Sequence, residues 1–455
     1  MPISDWVRPA KAADRGSARL SRGEEDPLKA RYLAAIALIV ALSAAGCSSS
    51  DKSSQEQATA SKTLTVWLMD GSAPDQLVTD LNAEFTAAHP GVKVTYQKQQ
   101  WNGILDRLTT ALASNNPPDV IELGNTQTAK FASSGALADL SGKVSDLGGQ
   151  GWLQALTESG AWDGKQYGIP FYAANRIVIY RTDLFKAAGI AQPPTSLAEW
   201  VTDGKKLAAA SKDSRFMPLY LPGQNWYFLA SLIWDRGGDL AVKDGDTWKG
   251  AVDTPQAQAG IADYQNLFKS LSKAPADTDE ATPQQNEVMA KGNVGMMVGA
   301  PWELNTTVSN APALKDKLGA FPIPGSSSAK LAPVFLGGSN LAIAAGSKQQ
   351  DLAYDWLKLL AGEKYQTRLA KDNGVIPNSS ALAGTVLADN PVLSAMAKGA
   401  QNGKITPNDP SWAAVEAAPN PLKDMMTKIL SGKASVQEAT KEASALITEK
   451  MASSK

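Results

Sequence analysis

The sequence predicts an α/β fold in which a parallel sheet carries helices on its faces. The chain has 455 residues, which is enough for two ordinary domains, and 43% of them are apolar, which is enough for packed cores. Residues 63–121 alternate between strand-like and helix-like patterns in the order β-α-β-α-β. That order is typical of parallel sheets, because each helix returns the chain to the edge at which the next strand begins.

The first strand is predicted at residues 63–68, where β-branched and apolar residues alternate. Two further strands are predicted at residues 92–96 and 118–121. Between them lie two amphipathic helices, the first of which can begin at Pro74. Their apolar faces recur at helical spacing at Leu77, Val78, Leu81 and Phe85, and then at Ile104, Leu105, Leu108 and Leu112.

Later segments continue the mixed pattern. The Asp163-Gly164 pair predicts a hairpin turn, and residues 176–180 predict another strand. Ser196 precedes a further helical stretch. Near the end of the chain a capping box, SVQE at residues 435–438, predicts the start of a final helix.

The N-terminal segment has the pattern of an export signal. Lys29 and Arg31 precede an apolar run over residues 32–45, which is too short to span a bilayer as a helix. The run ends in LSAAGCS at residues 42–48. Small residues directly before a lone cysteine resemble a lipobox, the site at which lipoprotein precursors are acylated and cleaved. Ala44 departs from that pattern, which usually has leucine there.

We therefore predict a lipoprotein signal peptide over residues 1–46, lipid attachment at Cys47 and a flexible polar tether over residues 47–62. The alternative is a plain secretory signal followed by a chance cysteine. Lipid attachment would place the protein on the extracellular face of the cell membrane.

The composition excludes several classes of function. The formal net charge is -1, and no basic stripe is present that would contact nucleic acid. With one cysteine and one histidine, neither an internal disulfide, a His/Cys metal site nor a Ser-His-Asp triad is expected. His89 lies where the first helix should end, a position that favours a cation. The DGD sequence at residues 244–246 lacks the later ligands of an EF-hand, so we expect a hairpin turn there and no cofactor or metal.

A series of short motifs resembles one protein family. In chain order they are PPDV at residues 117–120, SGAL at 134–137, YGIPF at 167–171, YRTDLF at 180–185, KGNVGMM at 291–297, PW at 301–302, FLGGS at 335–339 and GVIPN at 374–378. Each motif is weak alone, but their order is similar to that of the family-1 extracellular solute-binding proteins, the group that includes maltose-binding protein. Arg181 departs from the family pattern, which usually has asparagine there, and we expect it to be a surface change.

The resemblance implies a two-lobe fold of the type II periplasmic-binding-protein class, in which each lobe is a sheet flanked by helices. It implies an N-terminal lobe of residues 63–171 and 339–374 and a C-terminal lobe of residues 172–338 and 375–455, with the crossing segments as a hinge. It also implies a monomer without enzymatic activity. Such a protein binds a di- or oligosaccharide and delivers it to two transmembrane permease subunits and a cytoplasmic ATPase of an ABC importer.

A sugar site needs aromatic rings that cover the apolar C–H faces of the sugar and short polar groups that bind its hydroxyls. In an α/β fold these groups belong at the carboxyl ends of the strands. Chain position and the resemblance together predict the ligand contacts Asp70, Gly71, Ser72, Trp101, Asn125, Tyr172, Asn175, Asn225, Trp226, Trp302, Gly338, Ser339 and Trp412. Asn125 is preferred here over Glu122. The alternative role of Ser72 is a helix N-cap, and that of Trp226, Trp302 and Trp412 is core packing.

The stretch VWLMDGSAP at residues 66–74 is similar, within this family, to the actinobacterial receptors for N,N′-diacetylchitobiose. That disaccharide is therefore our first candidate ligand, with xylobiose, cellobiose and maltose as alternatives. A phosphate-bearing solute would call for basic side chains in the cleft and a polyamine for several carboxylates, and the predicted contacts include neither. A secreted glycosidase is the alternative from another class, but no carboxylate pair is singled out for it.

Overall fold

A computed structural model of the protein describes residues 62–328 and 330–453. The described residues belong to one compact unit. The predicted signal peptide, Cys47 and the predicted tether up to residue 61 lie outside the described residues. Within the described ranges, no helix combines the length and the apolar character that crossing a membrane requires.

The described residues form strands and helices that alternate along most of the chain. The strands are β1 (Lys62–Met69), β2 (Val92–Gln99), β3 (Val120–Gly124), β4 (Ala161–Trp162), β5 (Lys165–Gln166), β6 (Gly168–Ala174), β7 (Ile177–Arg181), β8 (Met217–Tyr220), β9 (Ala241–Asp244), β10 (Thr247–Gly250), β11 (Val294–Gly299), β12 (Leu318–Phe321), β13 (Val334–Phe335), β14 (Gly337–Ile343), β15 (Ile376–Pro377) and β16 (Gly403–Lys404). The helices are α1 (Asp75–Ala88), α2 (Ile104–Leu112), α3 (Thr128–Ser133), α4 (Gln154–Ser159), α5 (Thr182–Ala187), α6 (Leu197–Ala210), α7 (Trp226–Asp235), α8 (Pro255–Leu271), α9 (Gln285–Ala290), α10 (Pro301–Asn310), α11 (Gln350–Ala361), α12 (Glu363–Asn373), α13 (Ser380–Val386), α14 (Pro391–Ala400), α15 (Trp412–Glu416), α16 (Pro421–Leu430) and α17 (Val436–Ser453).

The first sheet has the strand order β15-β6-β14-β3-β1-β2. Strand β1 pairs in parallel with β2 on one side and with β3 on the other. The β-α-β-α-β pattern predicted over residues 63–121 is therefore confirmed, with α1 and α2 as the connections. Strand β14 pairs antiparallel with both β3 and β6, so a strand from much later in the chain lies in the middle of this sheet.

The second sheet has the order β12-β7-β11-β8. Strands β8 and β11 are parallel, and β7 runs antiparallel to both β11 and β12. The predicted strand at residues 176–180 is confirmed as β7, which begins at Ile177. The parallel pair gives this sheet a common carboxyl edge at which two chain segments leave together.

Each sheet has an apolar core on one of its faces, and a third apolar cluster joins residues of both sheets. The α1 residues Leu77, Val78, Leu81 and Phe85 are all buried against the first sheet, as their helical spacing predicts. The second core gathers apolar side chains of α6, α7, α8, α16 and α17 around β11. Each sheet and the helices packed on it form one lobe. The protein therefore has the two-lobe type II arrangement predicted above.

Several helix starts and turns lie where the local sequence predicts them. Ser196 caps α6 by accepting a hydrogen bond from the backbone of Glu199, and Ser435 and Glu438 form the predicted capping box. Helix α1 ends at Ala88, directly before His89. The two predicted hairpin turns lie between β4 and β5 and between β9 and β10.

The crossings between the lobes are strands of the first sheet. Strand β6 continues to Ala174, β14 starts at Gly337, and β15 pairs with β6 at Ile376 and Pro377. The boundaries predicted after residues 171, 338 and 374 fall inside or directly beside these strands. Residues 172–174, 337–338 and 376–377 are thus hydrogen-bonded in the first sheet, and the division of the chain into lobes stays a prediction.

Arg181 is not the surface change that the sequence suggested. Arg181 is only 8% exposed, and its guanidinium donates two hydrogen bonds of 2.7 Å to the carboxylate of Asp183. It also donates one to the backbone carbonyl of Gly292 at 3.2 Å. The paired carboxylate and the carbonyl compensate the burial of the charge, so Arg181 helps to join α5 to the segment before β11.

Candidate functional site

Three loops with predicted ligand contacts follow the parallel strands of the first sheet. Residues 70–72 follow β1, Trp101 follows β2, and residues 125–127 follow β3. Because parallel strands end at the same edge, the loops lie close together. The Asp70 carboxylate accepts a hydrogen bond from Gln100 at 3.2 Å, and the Trp101 ring lies against Gly124.

The second sheet presents a similar edge. Residues 221–225 follow β8 and lead into α7, while Pro301 and Trp302 begin α10 directly after β11. Since β8 and β11 are parallel, both segments leave at one edge. Each lobe therefore carries predicted ligand contacts at the carboxyl ends of its parallel strands, which is where α/β folds place their ligands.

Trp101 and Trp302 stand out by their exposure, which is 42% and 44%. Among the residues that the structure describes, the large apolar side chains left exposed are these two tryptophans and Val242. A core position is excluded for Trp302, because a core tryptophan would not keep this much of its surface in water. The two rings are available to cover the apolar faces of a ligand.

Glu122 connects three of the predicted ligand contacts. The Ser72 hydroxyl donates to its carboxylate at 2.7 Å, and the Met69 backbone N–H donates at 2.8 Å. The Tyr172 hydroxyl lies 3.1 Å from Ser72 Oγ and accepts a hydrogen bond from Ser339 at 3.3 Å. Burial raises the pKa of Glu122 to about 7, although the hydrogen bonds from its neighbours favour the charged form.

Ser72 therefore does not cap α1, which was the alternative role considered for it. The residue at the cap position is Pro74, and no side chain caps that helix. The hydroxyl of Ser72 instead donates to Glu122 in β3 and so holds the loop after β1 against that strand.

Gly338 and Asn125 meet at the second crossing. Gly338 has a φ of 148°, and a Cβ atom there would lie 2.2 Å from the backbone oxygen of Tyr172. The backbone N–H of Asn125 donates to Gly338 at 3.0 Å, and its Nδ2 donates to the carbonyl of Leu336 at 2.9 Å. Asn125 is 5% exposed, so its side chain holds the crossing backbone in this structure.

A hydrogen bond runs from the first lobe to the segment predicted for the second, in addition to those that Asn408 donates to the carbonyls of Glu158 and Ala161. The Thr126 hydroxyl, after β3, donates to Glu416 Oε2 at 2.9 Å, across 290 residues of sequence. Glu416 ends α15, whose Trp412 and Val415 belong to the second core. Burial raises the pKa of Glu416 to about 7, while the hydrogen bonds from Thr126 and Trp412 favour its charged form.

No group of three or more His, Cys, Asp or Glu side chains in the described part of the chain is arranged to hold a metal ion. The groups brought together at the two sheet edges are exposed rings, hydroxyls, amides and carboxylates. These groups can bind a neutral polar ligand with apolar faces.

The sequence matches the family described as bacterial extracellular solute-binding protein over residues 68–367. The chain belongs to this family.

Its relatives include proteins that are named for the sugars they bind. The diacetylchitobiose binding protein DasA of Streptomyces coelicolor is 44% identical over 417 residues, which cover 90% of this chain and 96% of that protein. A maltooligosaccharide ABC transporter solute-binding lipoprotein of Streptococcus pneumoniae is 26% identical over 418 residues, 90% of this chain and 93% of that protein. The GacH receptor of Streptomyces glaucescens, solved without ligand and with acarbose, superposes with a TM-score of 0.75 at 25% identity, covering 86% of this chain and 99% of that one.

In this solute-binding protein, two of the predicted aromatic platforms are core residues. Trp412 is fully buried, and its Nε1 donates to Glu416 at 2.9 Å. Trp226 is 4% exposed and stacks on Tyr227, with 3.8 Å between the ring centroids. A ring without an exposed face cannot stack on a sugar, so the core-packing alternative holds for both, and neither is kept in the site.

Two predicted amides also have structural uses. Asn225 caps α7 by accepting a hydrogen bond from the backbone of Phe228 at 3.2 Å, and it is 1% exposed. Asn175 is 2% exposed and donates to the carbonyl of Arg176 at 3.1 Å. Within the described residues, Asn175 Oδ1 and Asn225 Nδ2 have no hydrogen-bond partner, so each keeps one polar atom that a neighbouring group could still use.

Sequence reasoning missed a charged cluster beside these amides. Arg176 forms a bidentate ion pair with Glu280, and its guanidinium lies 4.4 Å from the ring centroid of Tyr227. Glu303, which follows the exposed Trp302, accepts hydrogen bonds from Gln285 at 2.8 Å and from the Ala300 backbone at 2.7 Å. Burial raises the pKa of Glu303 to about 7. The only signal in the sequence was adjacency, since Arg176 follows Asn175 and Glu303 follows Trp302.

Proposed function

We propose that this solute-binding protein is the carbohydrate receptor of an ABC importer and that its ligand is N,N′-diacetylchitobiose. The observation that carries the ligand is the 44% identity to the diacetylchitobiose binding protein of Streptomyces coelicolor over 90% of the chain. The short VWLMDGSAP stretch at residues 66–74 points to the same sugar. It includes the loop after β1, at which several site residues meet.

The geometry supports a disaccharide of two pyranose rings. Each ring offers an apolar C–H face and a rim of hydroxyl or acetamido groups. Trp101 and Trp302, one on each lobe, supply two exposed aromatic faces. Asp70 and Gly71 are exposed at the end of β1 and supply a carboxylate and backbone groups for the polar rim.

We further propose that the lobes close on the sugar by rotation at the three crossings. Closure would bring the two tryptophans onto opposite sides of the ligand, because they belong to different lobes. The Thr126–Glu416 hydrogen bond is a contact that this closure would make or keep. The ligand shifts the equilibrium between the open and closed forms, and the size of this shift equals the difference between its affinities for the two forms.

The protein acts outside the cell and has no catalytic role in this proposal. Its relatives are named binding proteins and lipoproteins. Acylation at Cys47 would leave the polar residues after it as a tether between membrane and lobes. The receptor works as a monomer and passes its sugar to two permease subunits, which a cytoplasmic ATPase drives.

A sugar panel tests the ligand. Purified protein is melted with N,N′-diacetylchitobiose, cellobiose, xylobiose and maltose, and the affinities are then measured by calorimetry. At 100 times its Kd, a ligand adds about 2.7 kcal/mol to the free energy of unfolding. We expect the largest gain with N,N′-diacetylchitobiose, together with a smaller radius of gyration in solution scattering. A larger gain with one of the other sugars would contradict the proposed ligand, and an unchanged scattering profile at saturation would contradict closure.

The lipid anchor is tested separately. Because one acyl chain binds a membrane only weakly, stable anchoring requires a diacylated Cys47. The Cys47→Ala variant should appear in the culture medium while the parent stays with the membrane fraction. A variant that remains as membrane-bound as the parent would rule out Cys47 as the anchor.

A further inference from the structure

The loop after β1, residues 70–72 and here called the binding loop, is held by a side chain that lies just before the third crossing. Asn373 is the last residue of α12, and its Nδ2 donates hydrogen bonds to the carbonyls of Gly71 and Ser72, each at 3.0 Å. Gly374 follows with a positive φ of 68°, and the chain then enters β15 beside β6. One amide group therefore joins the binding loop to the third crossing.

The other side of the binding loop is held from the first two crossings. Ser72 donates to Glu122, and the hydroxyl of Tyr172 in β6 lies 3.1 Å from Ser72 Oγ. Ser339 in β14 donates to the same tyrosine hydroxyl at 3.3 Å. The binding loop is thus joined to Tyr172 in the first crossing, through that hydroxyl to Ser339 beside the second, and to Asn373, just before the third.

We infer that Asn373 is a positioning residue that couples the binding loop to the hinge. Gly374, directly after Asn373, begins the third crossing, so a change of its backbone angles moves the Asn373 amide and with it the carbonyls of Gly71 and Ser72. The loop then takes its ligand-binding geometry only in one setting of the hinge. The inference rests on the proposed function in one respect, which is that the binding loop contacts the ligand. It adds a residue that no predicted contact included.

The chemistry of the contact requires an amide. Both protons of Asn373 Nδ2 are used, one for each carbonyl. Aspartate has the same shape but would set its oxygens against two carbonyl oxygens. Alanine would leave both carbonyls without this donor. Because Asn373 ends its helix and is only partly buried, either variant should keep the fold.

The test compares the full-length parent with Asn373→Ala, Asn373→Asp and the control Asn115→Asp. Asn115 is exposed and lies between α2 and β3, so its variant adds the same charge away from the crossings. Hydrogen exchange of the peptide covering residues 69–72 is measured without ligand, and N,N′-diacetylchitobiose is titrated by calorimetry. We expect faster exchange of that peptide and about tenfold weaker binding in both Asn373 variants, and no change in the control.

Exchange is then repeated at saturating sugar. In the parent, the sugar should protect residues 374–377 together with the binding loop, whereas in Asn373→Ala it should protect the loop alone. Unchanged loop exchange in ligand-free Asn373→Ala overturns the inference. Faster exchange with unaltered affinity and joint protection overturns the coupling. A parent that does not bind this disaccharide refutes the proposed ligand instead, and the ligand-free exchange of the binding loop and of residues 374–377 then decides the role of Asn373 by itself.

Discussion

Replacing Trp302 by alanine should weaken sugar binding by about 2–3 kcal/mol without unfolding the protein. The residue is 44% exposed, which leaves about 110 Å² of a side chain of roughly 250 Å² in contact with water. A sugar ring covers one face, about half of that area, and this is worth about 1.4 kcal/mol at roughly 25 cal/mol per Å². The ring-face contact adds ~0.5–1.5 kcal/mol.

The loss corresponds to an increase in Kd of about 30- to 150-fold and is measured by calorimetric titration with N,N′-diacetylchitobiose. Trp302→Phe keeps a smaller ring and should lose less. Val242→Ala is the matched control, because Val242 is also 44% exposed but lies in β9, outside the predicted contacts. Its affinity should equal that of the parent.

Melting curves of the same variants separate a ligand platform from a packing residue. A packing residue of this size would lose ~3–5 kcal/mol of stability on truncation, while the folded fraction would bind normally. Near-native affinity in a well-folded Trp302→Ala protein would remove this side chain from the site and would leave Trp101 as the remaining platform.

Two further outcomes follow from the buried carboxylates. Thr126→Val removes the donor to Glu416 and should weaken sugar binding, measured by calorimetry, by about 0.5–1.5 kcal/mol. The surface control Thr79→Val should bind like the parent. If Thr126→Val also binds like the parent, this hydrogen bond does not favour closure. Burial raises the pKa of Glu122 from 4.5 to about 7, so its folded state holds a proton that the unfolded state has lost. The protonated Glu122 side chain therefore contributes about 3 kcal/mol to the free energy of unfolding below pH 4.5, and this contribution is lost as the pH rises through 7. Denaturant unfolding of the parent and Glu122→Gln across this window should diverge by that amount, and parallel curves would refute the shift.

The alternation of the first sheet could be predicted from the sequence because its elements are local. The spacing of Leu77, Val78, Leu81 and Phe85 reports a buried helix face, and the helix returns the chain to the same sheet edge. Ser435 and Glu438, which form a capping box within four residues of sequence, predict the start of the last helix. In each case the residues that decide the structure are neighbours in the chain.

The site was only partly predictable because its contacts are not local. Arg176 and Glu280 are 104 residues apart, and Thr126 and Glu416 are 290 apart, so no spacing in the sequence reports either pair. Tryptophan suits both a core and a platform, and the sequence around Trp412 and Trp302 does not separate the two environments. Their opposite burial is decided by the packing of α15 and α10 against different neighbours.

The place of β14 has a consequence for the order in which the chain can fold. This strand fills the gap between β3 and β6, yet it is synthesised after β7, β8, β11 and β12 of the other sheet. A growing chain therefore holds β1, β2, β3 and β6 with their central neighbour missing, and the two strands that face the gap expose unpaired backbone. Pairing across such a long sequence separation is slow, so the first lobe is completed only after most of the second has been made.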